Sequence, residues 1–324
     1  MGRFSKTRAT YAVYRTLGTL LDALPEPAAA GAAAVVGEIM ARRRNGPRDI
    51  SARHLTRVLA SSSPVVEPDP ELVRRWSRRA FRAYARYWVE GARLPATSVA
   101  EVTQRMWIAP GYEHLKAAMA EGRGVVMALP HVGSWEWGGA FLAADGFPMT
   151  AVAEVIEPPE LFEWFIEQRH AMGLTIVPLG PDSGGTVLRA LRDGLLVGLL
   201  CDRDLQGNGV EVEFFGERTT FPAGPATLAL RTGAALVTAA VFSGPGRDHV
   251  GEISAPIDTT RHAALRKDVV RITQEIARHF EAYIRRAPEQ WHLFQPNWPS
   301  DPGWVPPSAV PPSRVAPDER AAGD

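Results

Sequence analysis

The sequence predicts an α/β protein, a layered, mostly parallel central sheet flanked by helices, with N-terminal helices associated with a membrane surface. Three observations predict it. From Gly124 onward, short apolar runs alternate with longer segments of helical period, the rhythm of strand–helix units. Polar and charged clusters follow those runs directly, where α/β proteins assemble their sites. Before them, residues 1–95 hold 17 Lys+Arg against 8 Asp+Glu, so a basic helical part precedes a compensating acidic one.

In chain order, residues 9–40 are rich in Ala, Leu and Val, and Pro25 and Pro27 divide them into two short helices. The second ends at Arg42-Arg-Arg44, where positive charge suits a helix C-terminus. A short helix over 50–60, a loop from Ser61 to Pro70 and a long helix over 70–91 come next. On the long helix Trp76, Ala80, Tyr84, Tyr87 and Trp88 form an aromatic stripe beside Arg74, Arg75, Arg78, Arg79, Arg82 and Arg86. Such a helix suits a core with a membrane-facing rim; similar stripes also line nucleic-acid clefts. Strands are expected over 124–130, 149–155, 174–179, 195–201, 235–242 and 249–257. Helices are expected over 135–145, 159–172, 184–193, 224–232 and 262–286. Residues 1–298 then form a single domain, with a helical part at 1–95 and an α/β core at 96–298. Residues 299–324, rich in Pro, Ala and Asp without periodicity, read as a disordered tail.

No apolar run reaches the ~20 residues that span a bilayer. The start, Met-Gly-Arg-Phe-Ser-Lys6, lacks the apolar core of a secretory signal. Cys201, the only cysteine, excludes an internal disulfide and sits in the apolar run 195–201, so a buried inert thiol is expected. A basic N-terminal part points to an anionic partner surface, membrane or nucleic acid. No metal-ligand spacing such as paired histidines at i, i+4 occurs.

The chemistry concentrates in His131-Val-Gly-Ser-Trp-Glu136, directly after the 124–130 strand. On one helix the two side chains would stand roughly 140° apart, so His131 belongs on the loop, Ser134 at a helix N-cap and Glu136 in the first turn. There the carboxylate can hold one ring nitrogen and leave the other to take a proton. A second cluster, Asp202-Arg-Asp204 and then Glu211-Val-Glu213-Phe-Phe-Gly216, follows the 195–201 strand; Asp202 and Arg203 could instead form a structural ion pair. A third, Glu289-Gln-Trp-His292, is dense in groups with an apolar body and a polar edge, suited to a ligand wall. Arg169 could reach a substrate phosphate. Phe141, Leu142, Trp164 and Phe165 could line an acyl groove, although each suits the core as well.

Together, Pro130-His-Val-Gly-Ser-Trp-Glu136, the Asp-Arg-Asp…Glu-Val-Glu-Phe-Phe-Gly-Glu run and Pro-Glu-Gln-Trp-His resemble the lysophospholipid acyltransferase superfamily. Within it they are similar to the lipid A lauroyl/myristoyl acyltransferase family, and most of all to its phosphatidylinositol mannoside acyltransferase branch. The resemblance covers most of residues 5–298. It implies acyl transfer from palmitoyl-CoA, a co-substrate rather than a cofactor, to the 6-hydroxyl of a mannose at inositol position 2 of phosphatidylinositol mono- or dimannoside. It implies a peripheral enzyme at the cytoplasmic face of the plasma membrane, with an anionic leaflet and no nucleic acid as partner. By this resemblance His131 is the catalytic base and Glu136 its acidic partner. A glutamate further along, placed at Glu211, also orients the histidine. Ser134, Arg169, Asp202, Arg203, Glu213 and His292 are expected to bind substrate. Where the lipid A branch has an arginine for the oxyanion, this chain reads Ala153-Glu154-Val155. A glycerolipid or other glycolipid acceptor, or a non-catalytic lipid-binding protein, are the other readings.

Overall fold

The computed structural model describes residues 15–305, apart from 17, 19, 22, 44, 45, 63–67 and 245. Helix α1 (Glu26–Arg42) opens next to Pro25 and Pro27, as the prolines require, and buries Ala29, Ala33, Gly37 and Ala41, one residue per turn. This small-residue edge lets it lie close on α3 (Pro70–Arg93): a Cβ on Gly37 would stand 2.6 Å from the Arg82 Cα. Helix α2 (Gly46–Ser62) completes the N-terminal helical part. Asp69 caps α3, its side chain accepting from the Glu71 N–H. Ala80 and Phe81 are buried, Trp76 and Tyr84 pack beside them, and Trp88 is exposed. No helix of the described residues is long and apolar enough to cross a membrane.

Helix α4 (Val99–Arg105), strand β1 (Met106–Ile108) and helix α5 (Tyr112–Ala120) lead into the α/β core. There follow β2 (Val125–Leu129), α6 (Trp135–Ala144), β3 (Met149–Ala153), α7 (Pro159–Ala171), β4 (Thr175–Pro178), α8 (Ser183–Arg192) and β5 (Leu196–Leu200). A hairpin of β6 (Val210–Phe214) and β7 (Glu217–Phe221) precedes α9 (Gly224–Thr232), β8 (Ala235–Ser243), β9 (His249–Ile253) and α10 (Leu265–Arg286). Each strand read from the sequence thus forms, trimmed at one or both ends except β8, which runs one residue further than expected. The short β1, the hairpin and the helices α4 and α5 were not foreseen. β1, α4 and α5 bury too few residues to show a period, and the hairpin's short alternation reads as a charged loop.

Seven strands make one sheet in the order β1-β9-β8-β2-β5-β3-β4, parallel throughout except for the antiparallel pair β8–β9. β2 lies at its centre and is buried along its whole length. Its side chains alternate: Val126 and Ala128 enter one apolar core with α9 and α10, while Val125, Met127 and Leu129 enter the other with Leu115 and Leu142. Helices on both faces are what a parallel sheet requires.

After α10 the chain runs irregularly back over the sheet's carboxyl edge, bridging Val132 to Trp291. The packed structure includes the first residues of the segment expected as a tail, because Asp301 is buried against α2. The rest of that tail, from 306, lies outside the described residues, as does much of the first N-terminal helix.

Candidate active site

Strands β2 and β5 are parallel neighbours with Leu129 paired to Leu200, and the Cys201 N–H carries the ladder on to the Leu129 carbonyl at 3.0 Å. His131 and Asp202 each stand two residues beyond that pair. Register alone therefore brings a histidine and an aspartate together at the sheet's carboxyl edge. The His131 Nδ1 lies 2.5 Å from the Asp202 Oδ1, and the His131 backbone N–H donates to the Oδ2 at 3.0 Å. The Trp291 Nε1–H donates to the same Oδ2 at 2.8 Å, and the Asn297 side-chain amide to the Asp202 carbonyl at 3.1 Å.

Asp202 has no exposed surface, whereas the His131 ring is 35% exposed. Burial alone pushes the Asp202 carboxyl up, but the charge of His131 and the bonds from its ring, from Trp291 and from the His131 amide hold it below the ordinary carboxylate range. Burial lowers the His131 pKa, but the charge and hydrogen bond of Asp202 outweigh it and raise that pKa above the ordinary imidazole value. The carboxylate can only accept, so Nδ1 carries the proton and Nε2 is left for a substrate hydroxyl. This is the orientation a general base needs.

Gly133 turns the loop at φ 59°, and a Cβ there would stand 1.8 Å from the Val241 carbonyl oxygen; only glycine fits. The bend is pinned by the Gly133 N–H to the Gln290 carbonyl at 2.8 Å and the Ser134 N–H to the Val241 carbonyl at 3.0 Å. Ser134 occupies the N-cap position of α6, but its hydroxyl makes no cap bond; it lies 3.5 Å from the Glu90 Oε2 on α3.

Glu136 is in the first turn of α6, as the spacing required, yet its carboxylate does not bond His131. Its Oε1 accepts from the Tyr87 hydroxyl at 2.9 Å and from Arg169 at 3.0 Å, and the side chain is buried. The acidic partner of the histidine is Asp202, read from sequence as a substrate contact or an ion-pair mate of Arg203. Glu211 does not take that place either. On β6 the inward positions are Val212 and Phe214; by strand alternation Glu211 and Glu213 face out. The Glu211 side chain is 63% exposed and pairs with Arg218, and Glu213 is exposed on the same face. Neither joins the site.

Arg203 lies close enough to His131 for its charge to oppose the imidazolium, and it has no hydrogen-bond or ion-pair partner among the described residues. The His292 N–H donates to the His131 carbonyl at 2.7 Å. Its ring packs on Tyr84 and Tyr87, and burial, then the charge of His131, push its pKa down to about 3. Tyr87, Trp291 and Asn297 belong to the site although the sequence reading gave them no such role. Tyr87 was signalled only by the aromatic stripe on α3 and Trp291 only by the Pro-Glu-Gln-Trp-His motif, and no motif signalled Asn297.

A cavity of about 900 Å³ opens between α1, α3 and the β8–β9 turn; its wall includes Arg86, Glu90, Arg93, Arg105, Gln290 and His292. Beside the Glu136–Arg169 pair, Trp88, Phe165 and Trp164 form a partly exposed aromatic strip, their rings 6.2 and 5.1 Å apart in turn. Leu142 belongs to the core, and Phe141 packs against it. Cys201 is buried, and burial pushes its thiol pKa far up.

An α/β fold that presents a carboxylate-held imidazole at the sheet's carboxyl edge is arranged as a proton-transfer site. The family model for bacterial lipid A biosynthesis acyltransferases matches residues 3–300. The chain therefore belongs to that family and is an acyltransferase. It is 37% identical over 289 residues to a phosphatidylinositol mannoside acyltransferase of Mycolicibacterium smegmatis, covering 87% of this chain and 89% of that protein. It is also 37% identical over 308 residues to the protein of that name from Mycobacterium tuberculosis, covering 92% of each.

Proposed function

We propose that this enzyme transfers a palmitoyl group from palmitoyl-CoA to a phosphatidylinositol mannoside, at the 6-hydroxyl of the mannose on inositol position 2. The names of its relatives support the acceptor class. The observation that carries the mechanism is the His131–Asp202 pair, with Nδ1 bound and the ring still open. His131 Nε2 takes the proton of the acceptor hydroxyl as that oxygen attacks the thioester carbonyl. Asp202 balances the imidazolium. The tetrahedral intermediate collapses with cleavage of the C–S bond, and the imidazolium returns its proton to the departing thiolate. Ester and free thiol are the products. Arg203, with no hydrogen-bond or ion-pair partner among the described residues and near enough for its charge to act on the His131 ring, is assigned to the developing oxyanion or to a donor phosphate.

The cavity adjoins the catalytic loop through His292 and Gln290; its arginines and glutamates suit the hydroxyls of a sugar headgroup, and the alanines of α1 with Val89 and Trp137 line its apolar part. The strip of Trp88, Phe165 and Trp164 offers an apolar seat for the acyl chain. Arg169, already committed to Glu136, supports the site instead of reading substrate alone. The test is a thiol-release assay with palmitoyl-CoA, with product analysis. Acylated phosphatidylinositol mannoside is the expected product. Transfer only to a lysophospholipid or another glycolipid would replace this acceptor, and vesicle binding with no turnover would remove the enzymatic reading.

The same reading places the protein peripherally on the cytoplasmic leaflet. Val35, Val36 and Ile39 of α1 are exposed apolar residues, and Glu38 among them pairs with the exposed Arg78 and Arg82 of α3, a helix that also exposes Arg74, Arg75 and Arg79. Apolar contact beside positive charge is what an anionic interface binds. Sedimentation with phosphatidylglycerol-containing vesicles is expected to weaken as salt rises, since the Debye length falls to about 3 Å at 1 M. Binding indifferent to salt would leave apolar insertion as the only attraction.

A further inference from the structure

A second buried charged cluster lies under the C-terminal segment, where His54 stacks on Trp291. Asp301 is its centre. The Oδ2 accepts from the backbone N–H groups of Asn297, at 2.9 Å, and Trp298, at 3.1 Å, and faces the His54 Nε2 at 3.1 Å. The Oδ1 lies 2.8 Å from the Arg57 Nη1, and the Arg57 Nε donates to Glu217 at 2.9 Å. The His54 Nδ1 faces the Leu293 carbonyl at 3.1 Å. Its ring stacks on Trp291 at 5.1 Å and meets Trp298 edge-on at 4.9 Å, and the Arg57 guanidinium lies 4.3 Å over Trp298. The two backbone bonds close a turn within residues 297–301; all the other ties but the one to Glu217 run between α2 and residues 291–301.

That segment supplies the two donors that hold the catalytic aspartate, the Trp291 indole on Oδ2 and the Asn297 amide on the main-chain carbonyl. It is irregular chain, with no ladder of its own beyond the single bridge at Trp291. Past the His292 N–H on the His131 carbonyl, its geometry is set chiefly by side chains: Asp301 with His54 and Arg57, the Thr219 hydroxyl on the Asn297 carbonyl and the Trp298 indole on the Phe214 carbonyl. Buried ion pairs add little net stability over apolar packing of the same volume, but they allow few arrangements. A cluster that fixes 291–301 in one arrangement also fixes where Asp202 points.

We propose that Asp301, held by His54 and Arg57, is a positioning residue for acyl transfer: it locks the segment whose indole and amide keep Asp202 on the Nδ1 of His131. Asp301 touches neither substrate nor the reacting atoms. This inference rests on His131 being the base.

The test is Asp301→Asn in the full chain, compared with Trp291→Phe, which keeps an aromatic ring and removes the N–H. In both, kcat is expected to fall about tenfold, the size of one lost hydrogen bond to a charged group, with KM for both substrates within about twofold. In Asp301→Asn the acid limb of the rate profile moves to lower pH, because a loosened Asp202 no longer stabilises the imidazolium. The low-field proton resonance of the His131 Nδ1–H, identified by its absence in His131→Ala, shifts or broadens in both variants, and this reading needs no substrate. Wild-type kcat and an unmoved resonance in Trp291→Phe would overturn the proposal, whether or not Asp301→Asn folds. A lowered melting temperature of Asp301→Asn with unchanged kcat, acid limb and resonance would overturn it too. If His131→Ala itself retains full activity, the reading beneath has failed; if His131→Ala is dead while the other two behave as wild type, only the positioning role has.

Discussion

His131→Ala is expected to abolish acyl transfer, with a loss of about 10³-fold or more in kcat and little change in the fold. Positioned general acid–base catalysis contributes typically 10²–10⁴-fold, and in the proposed mechanism one imidazole serves both halves of the reaction, removing the alcohol proton and returning it to the thiolate. The loop does not depend on the ring for its shape. Gly133, the Ser134 amide and the Val132–Trp291 bridge hold it through the backbone. Asp202 keeps two donors after the substitution, the residue 131 amide and the Trp291 indole, so the buried carboxylate is not left bare. Thiol release by the purified variant, beside its circular dichroism and melting curve, is the measurement. Activity near wild type in a folded variant would end the assignment of His131 as base.

Asp202→Asn is expected to cost on the order of 10²–10⁴-fold in kcat while leaving substrate KM nearly unchanged, since the group contacts no substrate and acts in the transition state. The amide preserves shape and removes the charge that stabilises the imidazolium. The pH dependence has a definite sign. The base is active when neutral, and Asp202 raises the His131 pKa, so wild-type activity rises with pH through a value above the ordinary imidazole range. Without the carboxylate that pKa falls and the residual activity's acid limb moves to lower pH. Stability follows the same linkage. The raised pKa contributes stability that is complete below the unfolded imidazole's pKa, about 6.5, and is lost as pH rises through the folded value. A full pH–rate profile of both proteins tests this; an unmoved acid limb in Asp202→Asn would separate the observed pKa from this pair.

Much of the fold was legible because β2 and β5 are continuous apolar runs, β3 and β8 are nearly so, and the intervening helices are long enough to show their period. The hairpin was missed because its alternation, Val212 and Phe214 in, Glu211 and Glu213 out, reads as a charged loop until Phe214 is seen packed on Trp298. At the site, His131 was legible as a histidine emerging from a buried strand, and Glu136 as a carboxylate in the helix's first turn. Their pairing was not, because sequence spacing ranks near neighbours first. Glu136 instead turns to Tyr87 on α3 and Arg169 on α7, partners 49 and 33 residues away.

The sequence by itself determined the strand–helix rhythm, the loop that presents His131, the basic helical N-terminal part and the kinship with acyltransferases, all of which are local pattern. Only the tertiary structure decided which carboxylate serves the histidine. That choice depends on β2 and β5, 71 residues apart at the critical pair, lying parallel in one register, so that the residue two past Leu200 meets the residue two past Leu129. Strand pairing is set by burial of both faces of the sheet and by the crossovers between strands, a property of the whole chain that no short window contains.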